Sequence, residues 1–368
     1  MILSRLNLTN FKNYASAELE FSEKINCFIG DNGSGKTNLL DAIYYLSFCK
    51  SAFNLHDTQN IRFEASFFAL HGHYLLGEVG EDQISCIQQK NHRKQFKRNK
   101  KDYERLAEHI GLLPLVLISP YDSDLVNDGS EIRRKFVDGV ISQFDKIYLE
   151  DLLSYSKALE QRNRLLKQFS KQGDFDKNLL EIWDEQLVKY GTLLYEKRKL
   201  FFEEYMPIFQ YYYQWISGEN ERVELRYESQ LHHASHAELL GKSLEKDRIL
   251  EYTTTGIHKD DLEFFIEGVP LKKFGSQGQQ KSFLVALKLG QFDFTRNKKG
   301  FKPLLLLDDI FDKLDDKRVE NLIQLTDNGN FGQVFITDTQ RQRIEKIFLK
   351  IRIEHKIFEV NQGVVTER

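Results

Sequence analysis

The stretch Cys27–Leu40, CFIGDNGSGKTNLL, limits what this chain can fold into more than any other part of it. It contains Gly30-x4-Gly35-Lys36-Thr37, the spacing of a phosphate-binding loop. Glycines at 30, 33 and 35 let the backbone take left-handed conformations and turn its N–H groups toward a row of phosphates. In such a loop Lys36 reaches the β- and γ-phosphates and the Thr37 hydroxyl ligates Mg2+. Asp31, Asn32, Ser34 and Asn38 complete the candidate cradle. Ile25–Ile29 reads as a short apolar strand, and Thr37–Phe48 as a helix whose N-terminus favours an anion. The strand–loop–helix setting separates this loop from a glycine-rich turn that binds nothing.

At 368 residues the chain is long enough for two or more domains. Its formal net charge is −3, so a nucleic-acid surface has to be a local patch. Three cysteines with no CxxC pairing exclude a disulfide scaffold and suit a reducing compartment. The N-terminus shows no basic segment followed by an apolar run, and no apolar stretch approaches the roughly 20 residues of a membrane helix. A cytoplasmic protein without membrane contact is expected.

Residues 2–9 and 16–22 read as strands joined across the turn at Asn10–Tyr14. Residues 61–89 read as a meander of three short strands, Ile61–Leu70, His73–Glu78 and Gln83–Gln88. Leu112–Ser119 is a buried strand closed by Pro120. From Glu131 to about Ser217 breakers are few, and apolar residues recur at helical spacing. Leu152, Leu159 and Leu166 repeat every seven with Tyr155 and Phe169 between them, while Leu180, Trp183, Leu187, Tyr190, Leu194 and Phe201 follow a 3/4 pattern interrupted at Lys197. The two helices should pack antiparallel across a turn near Gly173. Strand character returns at 222–229, and β/α alternation continues to the end, with Val365–Arg368 expected to fray. The predicted class is α/β. An N-terminal head portion (1–125) and a C-terminal head portion (221–368) are separated by a helical arm (126–220).

Leu304–Leu307, four consecutive leucines, predict a strand buried on both faces and ending in Asp308-Asp309. Beside a phosphate loop, Asp308 would hold Mg2+ opposite Thr37, and Asp309 would orient or deprotonate an attacking water. Asp309 and Lys36 are thus the candidate catalytic residues. Upstream, Phe274-Gly-Ser-Gln-Gly-Gln-Gln-Lys281 opens a predicted helix. Ser276, Gly278 and Gln279 offer a hydroxyl, bare backbone N–H groups and the positive end of a helix dipole. In isolation Ser276 reads equally well as a helix cap. One nucleotide does not need two such devices in one subunit, so the second should close over the nucleotide of a partner.

This order of motifs resembles the ABC-type ATPase heads of the SMC group. Five blocks carry a closer resemblance, to the RecF family of bacterial recombination-mediator ATPases. They are Leu6–Tyr14, Ser130–Asp138 with Arg133-Arg134, Gly256–Phe264, Gly275–Lys281 and Leu305–Asp315. The resemblance implies an ABC-type head interrupted by a short arm. It further implies ATP and Mg2+ as cofactors, homodimerisation on ATP, and binding to double- and single-stranded DNA at gaps or junctions. Partners of the RecO/RecR type and a role in recombinase loading follow from it too. It assigns Lys12 and Asn13 to a turn near the nucleotide, and Leu314-Asp315 to a loop that meets the partner subunit. The chain departs from the group in four places. Asp309 stands where transporters usually have Glu, implying slow hydrolysis used as a switch. The histidine that often follows the next strand is absent, leaving its role to Asp338 or a threonine of Thr337-Asp338-Thr339. Gly256-Ile257-His258 replaces Gly-Pro-His, and Ser119-Pro-Tyr-Asp-Ser replaces Ser-Pro-Glu-Asp-Leu.

Lys90–Lys101, KNHRKQFKRNKK, holds seven cations and no acid: Lys90, Arg93, Lys94, Lys97, Arg98, Lys100 and Lys101. It is the candidate DNA surface, set against a solvated hairpin tip. Arg162, Arg164 and Lys272-Lys273 are lesser candidates. His232, His233 and His236 lack the accompanying carboxylate or cysteine of a metal site. An ATPase driving a nuclease is the alternative function, but no second acidic cluster accompanies it. A transporter subunit would leave the arm and the basic stretch unexplained.

Overall fold

The computed structural model describes residues 1–77, 80–218, 221–309, 331–350 and 354–368. The chain divides into two compact units. One comprises Met1–Asp122, Trp215–Gly218 and Lys281–Arg368; the other comprises Ser123–Gln214 and Glu219–Gln280.

The first unit is built on two sheets. An antiparallel sheet runs from β1 (Ile2–Phe11) and β2 (Tyr14–Glu20) through β4 (Phe67–Leu75) and β5 (Glu81–Gln89) to β6 (Gln95–Arg98) and β7 (Lys101–Asp102), in the order β2-β1-β4-β5-β6-β7. The second sheet contains β3 (Ile25–Ile29), β8 (Leu115–Ile118), β12 (Leu304–Leu307), β13 (Val334–Asp338), β14 (His355–Asn361) and β15 (Val364–Glu367), ordered β15-β14-β3-β13-β12-β8. Its strands are parallel except β15. β3, β8, β12 and β13 are buried along their whole length, as continuous apolar runs require when both faces are covered. Helix α1 (Lys36–Phe48) packs against strands of both sheets, which is why Leu39, Leu40, Ile43, Tyr45 and Leu46 are all inside.

Residues 61–77 do not form two strands. β4 runs unbroken through Gly72, where an added Cβ would sit 2.7 Å from the Tyr74 ring and 2.9 Å from Leu46. The glycine there permits close packing and does not mark a turn. The C-terminus is not frayed either. β15 pairs with β14 across a turn at Gln362 and Gly363 (φ 46° and 81°), a hairpin signal of a residue that tolerates positive φ followed by glycine.

In the second unit α2 (Asp124–Asn127) and α3 (Ser130–Ser142) lead into α4 (Lys146–Gln172) and α5 (Lys177–Ser217), joined at Gly173 with φ 70°. Three contacts set the register. Arg198 donates to the Tyr148 hydroxyl at 3.0 Å, Gly191 lies against the Tyr155 ring, and Arg162 pairs with Asp184 at 2.5 Å. Numbers that rise by seven on α4 fall by seven on α5, so the helices are antiparallel with a heptad seam. Of the predicted stripe Tyr155, Leu166 and Phe169 are buried, but Tyr148 and Arg162 join the seam while Leu152 and Leu159 are only half-buried. Arg162 is therefore not a DNA contact: it is fully buried between Asp184 and Asp247. Arg198 occupies the break at Lys197 and is held by Asp138 and Asp260. β9 (Val223–Glu228), β10 (Asp261–Ile266) and β11 (Val269–Pro270) form a third sheet, accompanied by α6 (His236–Leu250) and α7 (Leu271–Phe274). Helix α8 (Gln277–Lys299) begins in this unit and continues into the first.

Buried histidines make both units acid-sensitive. His109 bonds Leu46 O (2.7 Å) and the Tyr103 hydroxyl (2.9 Å), His258 bonds Thr253 O (3.0 Å), and His236 is 2 % exposed. Burial pushes each imidazole down to about 4. Unfolded histidine titrates near about 6.5. Between those values the unfolded chain binds more protons, so stability is lost as pH falls through the window, by about 1–3 kcal/mol per histidine. Melting temperature should be flat above about pH 7 and decline from about pH 6.5 downward. A flat profile to pH 5 would contradict neutral burial of these rings.

Candidate functional site

The parallel sheet brings the separate pieces together. β3 delivers the phosphate loop, and its neighbour β13 lies between it and β12. The loop closes onto α1 with Gly33 and Gly35 at φ 78° and 118°, conformations that other residues adopt only with strain. Gly30 is needed for a different reason than predicted. Its φ is not left-handed, but an added Cβ would lie 2.2 Å from Val360 O. Lys36, 4 % exposed, arches back and donates to Gly30 O (2.8 Å) and Asp31 O (3.0 Å). An ammonium has three donors, so one remains for a ligand.

Side chains from the N-terminal turn brace the loop. Asn13 donates to Ser34 O (3.0 Å) and accepts from Asn38 (2.7 Å), and the Tyr14 hydroxyl donates to Gly35 O (2.9 Å). Tyr14 was not identified from sequence. Lys12 makes a 2.6 Å ion pair with the fully buried Asp41, which also accepts from Ser51 and Ala52 N. The C-terminal hairpin adds a further brace, with Gly363 N donating to Ser34 O at 3.1 Å. No phosphate-loop pattern points to that hairpin; only its own turn signal marks it. Asn32 is placed in the loop between these contacts.

Opposite the loop, Asp308 is 2 % exposed and accepts from Thr37 at 2.9 and 3.1 Å. Burial raises its carboxyl above the ordinary value and Asp309 adds to the rise, while hydrogen bonds from Thr337 and Thr37 and the Lys36 charge oppose it. A hydroxyl and a carboxylate in contact beside a nest of N–H groups are the hard oxygen donors that suit Mg2+ next to phosphates. Bound there, the ion would offset phosphate charge during hydrolysis. Asp309 follows at φ 44°, its N–H held by Thr337. Leu314 and Asp315 lie outside the described residues.

Ser276 belongs to the second unit and opens α8. Its hydroxyl accepts from Gln279 N (3.2 Å) and Gln279 Oε1 accepts from Ser276 N (2.8 Å), a reciprocal capping box. Gln279 also donates to Glu221 (2.6 Å). The cap reading is thus realised, yet it does not exhaust the hydroxyl, whose own hydrogen has no acceptor among the described residues. Ser276 is exposed and Gly278 sits in the first turn.

The basic stretch divides. Lys94 points inward to Asp57 (2.8 Å) and Cys49 O (2.5 Å), Arg98 pairs with Asp82 (2.6 Å), and Lys97 with Asp102 (3.3 Å). Lys90, Arg93, Lys100 and Lys101 are exposed. Among the described residues there is no cluster of His, Cys, Asp or Glu able to hold a metal, and no helix long and apolar enough to cross a membrane.

The family model described as the RecF/RecN/SMC N terminal domain matches residues 2–365. The chain is 50% identical over 367 residues to the DNA replication and repair protein RecF of Bacteroides thetaiotaomicron, covering 100% of this chain and 99% of that protein. It is 50% identical over 358 residues to the protein of that name from Flavobacterium johnsoniae, covering 97% and 99%. Among solved structures it resembles the recombination mediator protein RecF with ATP, in the RecFOR pathway, with TM-score 0.90, 30% identity and coverage of 100% and 97%. An Smc head domain from Pyrococcus furiosus matches at TM-score 0.58 and 16% identity, a likeness of fold alone.

Proposed function

The chain belongs to the RecF family, and on that premise we propose that it is an ATP-gated DNA-binding protein of recombinational repair and replication. The observation that carries this reading is the meeting of Thr37 with Asp308 beneath the phosphate loop, a device for triphosphate and Mg2+. Loop backbone and Lys36 bind the phosphates, Thr37 and Asp308 hold Mg2+, and Asp309 directs a water. Ser276, Gly278 and the capped N-terminus of α8 supply the opposite half of the partner's site, so two subunits enclose two nucleotides. Hydrolysis reopens the dimer. Lys90, Arg93, Lys100 and Lys101 present the phosphate-binding surface for DNA at gaps and junctions, where RecO/RecR-type mediators would be recruited. The arm serves as a short extension of the head.

The test pairs mass and DNA binding. Light scattering should show the monomer becoming a dimer on adding ATP and Mg2+. Affinity for gapped duplex should rise with ATP and drop steeply between about 50 and 200 mM salt, as counterion release demands. A chain that stays monomeric with ATP, or binds gapped DNA equally without it, would overturn the reading.

A further inference from the structure

Thr337 is the penultimate residue of β13, beside the acidic pair. β12 and β13 are in register at Leu307 and Ile336, so the next residues, Asp308 and Thr337, emerge side by side. The Thr337 hydroxyl is fully buried and makes two directed bonds. It donates to Asp308 Oδ1 at 2.8 Å and accepts the N–H of Asp309 at 2.9 Å. Asp309 Oδ1 lies 3.5 Å from the same oxygen, at the outer limit of a hydrogen bond. One hydroxyl thus touches both acids, and its bond to the Asp309 N–H holds that residue at φ 44°, where a non-glycine residue is strained.

The neighbouring candidates are committed elsewhere. Asp338, 1 % exposed, is engaged by Arg343 at 2.9 and 3.2 Å and accepts from Gln340 N at 2.6 Å. Thr339 makes no hydrogen bond to either acid among the described residues, and it is half-buried. Thr37 also bonds Asp308, but its oxygen is the one required by Mg2+, so that bond must be exchanged when the ion binds. Thr337 has no such competing duty. Its bond to Asp308 can persist through the exchange.

Resting on the ATP-switch reading above, we propose that Thr337 is the positioning residue of the hydrolytic step, holding both aspartates through its one hydroxyl. In that step Asp309 takes the proton of a water whose oxygen bonds to the γ-phosphorus. The bond from γ-phosphorus to the bridging oxygen breaks, and its electron pair leaves with ADP. Thr337 touches neither water nor phosphate; it fixes the backbone from which Asp309 reaches.

Thr337→Val keeps the shape and removes both hydrogen bonds, whereas Thr337→Ser keeps them. Single-turnover hydrolysis by Thr337→Val should slow about 10- to 100-fold, the range expected when a catalytic group is misplaced by about an ångström. Its ATP affinity should remain within about threefold of wild type. The ATP-bound dimer should persist longer because reopening waits on hydrolysis, and Thr337→Ser should restore both rate and dimer lifetime. Wild-type turnover in Thr337→Val would overturn the proposal, as would loss of ATP affinity as large as the loss of rate with the serine variant equally impaired. Failure of the parent reading is distinct: wild type itself would then show no ATP-induced dimer to time.

Discussion

Lys36→Ala is expected to abolish nucleotide binding and, with it, every ATP-dependent change in mass. The ammonium is buried and bonded to two carbonyls of its own loop, Gly30 O and Asp31 O, so it is already held where the phosphates arrive. Removing one partner of a desolvated, hydrogen-bonded charge pair costs about 2–5 kcal/mol, or roughly 30- to 5,000-fold in affinity. The loop itself keeps its other braces, from Asn13, Tyr14 and Gly363. The variant should therefore fold, melt near the wild-type temperature and lose only the stabilisation that ATP confers. Calorimetric titration with ATP and a melting scan with and without it make the measurement. ATP binding within threefold of wild type would remove Lys36 from the site.

Ser276→Arg should leave that binding intact while blocking association. Ser276 is exposed at the start of α8, so the first-order cost to the subunit is a helix cap, about 1 kcal/mol. At an interface the change acts twice, because a two-fold dimer presents each residue to both nucleotides. A long side chain displaces the first turn of α8, with the Gly278 N–H, from the phosphate at both sites. Monomer affinity for ATP should change by less than about threefold, while ATP-driven dimerisation weakens by at least about 100-fold. Mixing sharpens the test. A heterodimer of Lys36→Ala with Ser276→Arg contains one composite site with Lys36 from one subunit and Ser276 from the other. The mixture should regain part of the ATP-dependent association that neither variant shows alone. Dimerisation of Ser276→Arg at wild-type ATP concentrations would end the shared-site account.

What could be read directly from the amino-acid order was chemistry packed into contiguous stretches. The phosphate loop and the four leucines running into Asp308 announce themselves because their strands are short, apolar and buried on both faces. Side chains whose fate depends on distant partners were not legible. Lys94 and Arg98 look like part of one basic run, but Asp57 and Asp82 draw them inward. Arg162 resembles a surface cation until Asp184 and Asp247 close around it. Leu152 and Leu159 misplace part of the α4 seam for the same reason. Tyr148 and Arg162, with satisfied polar ends, fill a buried stripe as well as leucine does, and their polar groups hide them from a hydrophobic period. In the sequence Thr337 is one of several candidates, because only the strand register decides which residue meets the acids.

The pairing of β3 has a consequence for synthesis. Both of its neighbours, β13 and β14, come from the last tenth of the chain, and the turn at Gly363 is what seats against Ser34. On the ribosome the nucleotide loop therefore emerges well before the strands that flank it and waits, unpaired along both edges, until they follow.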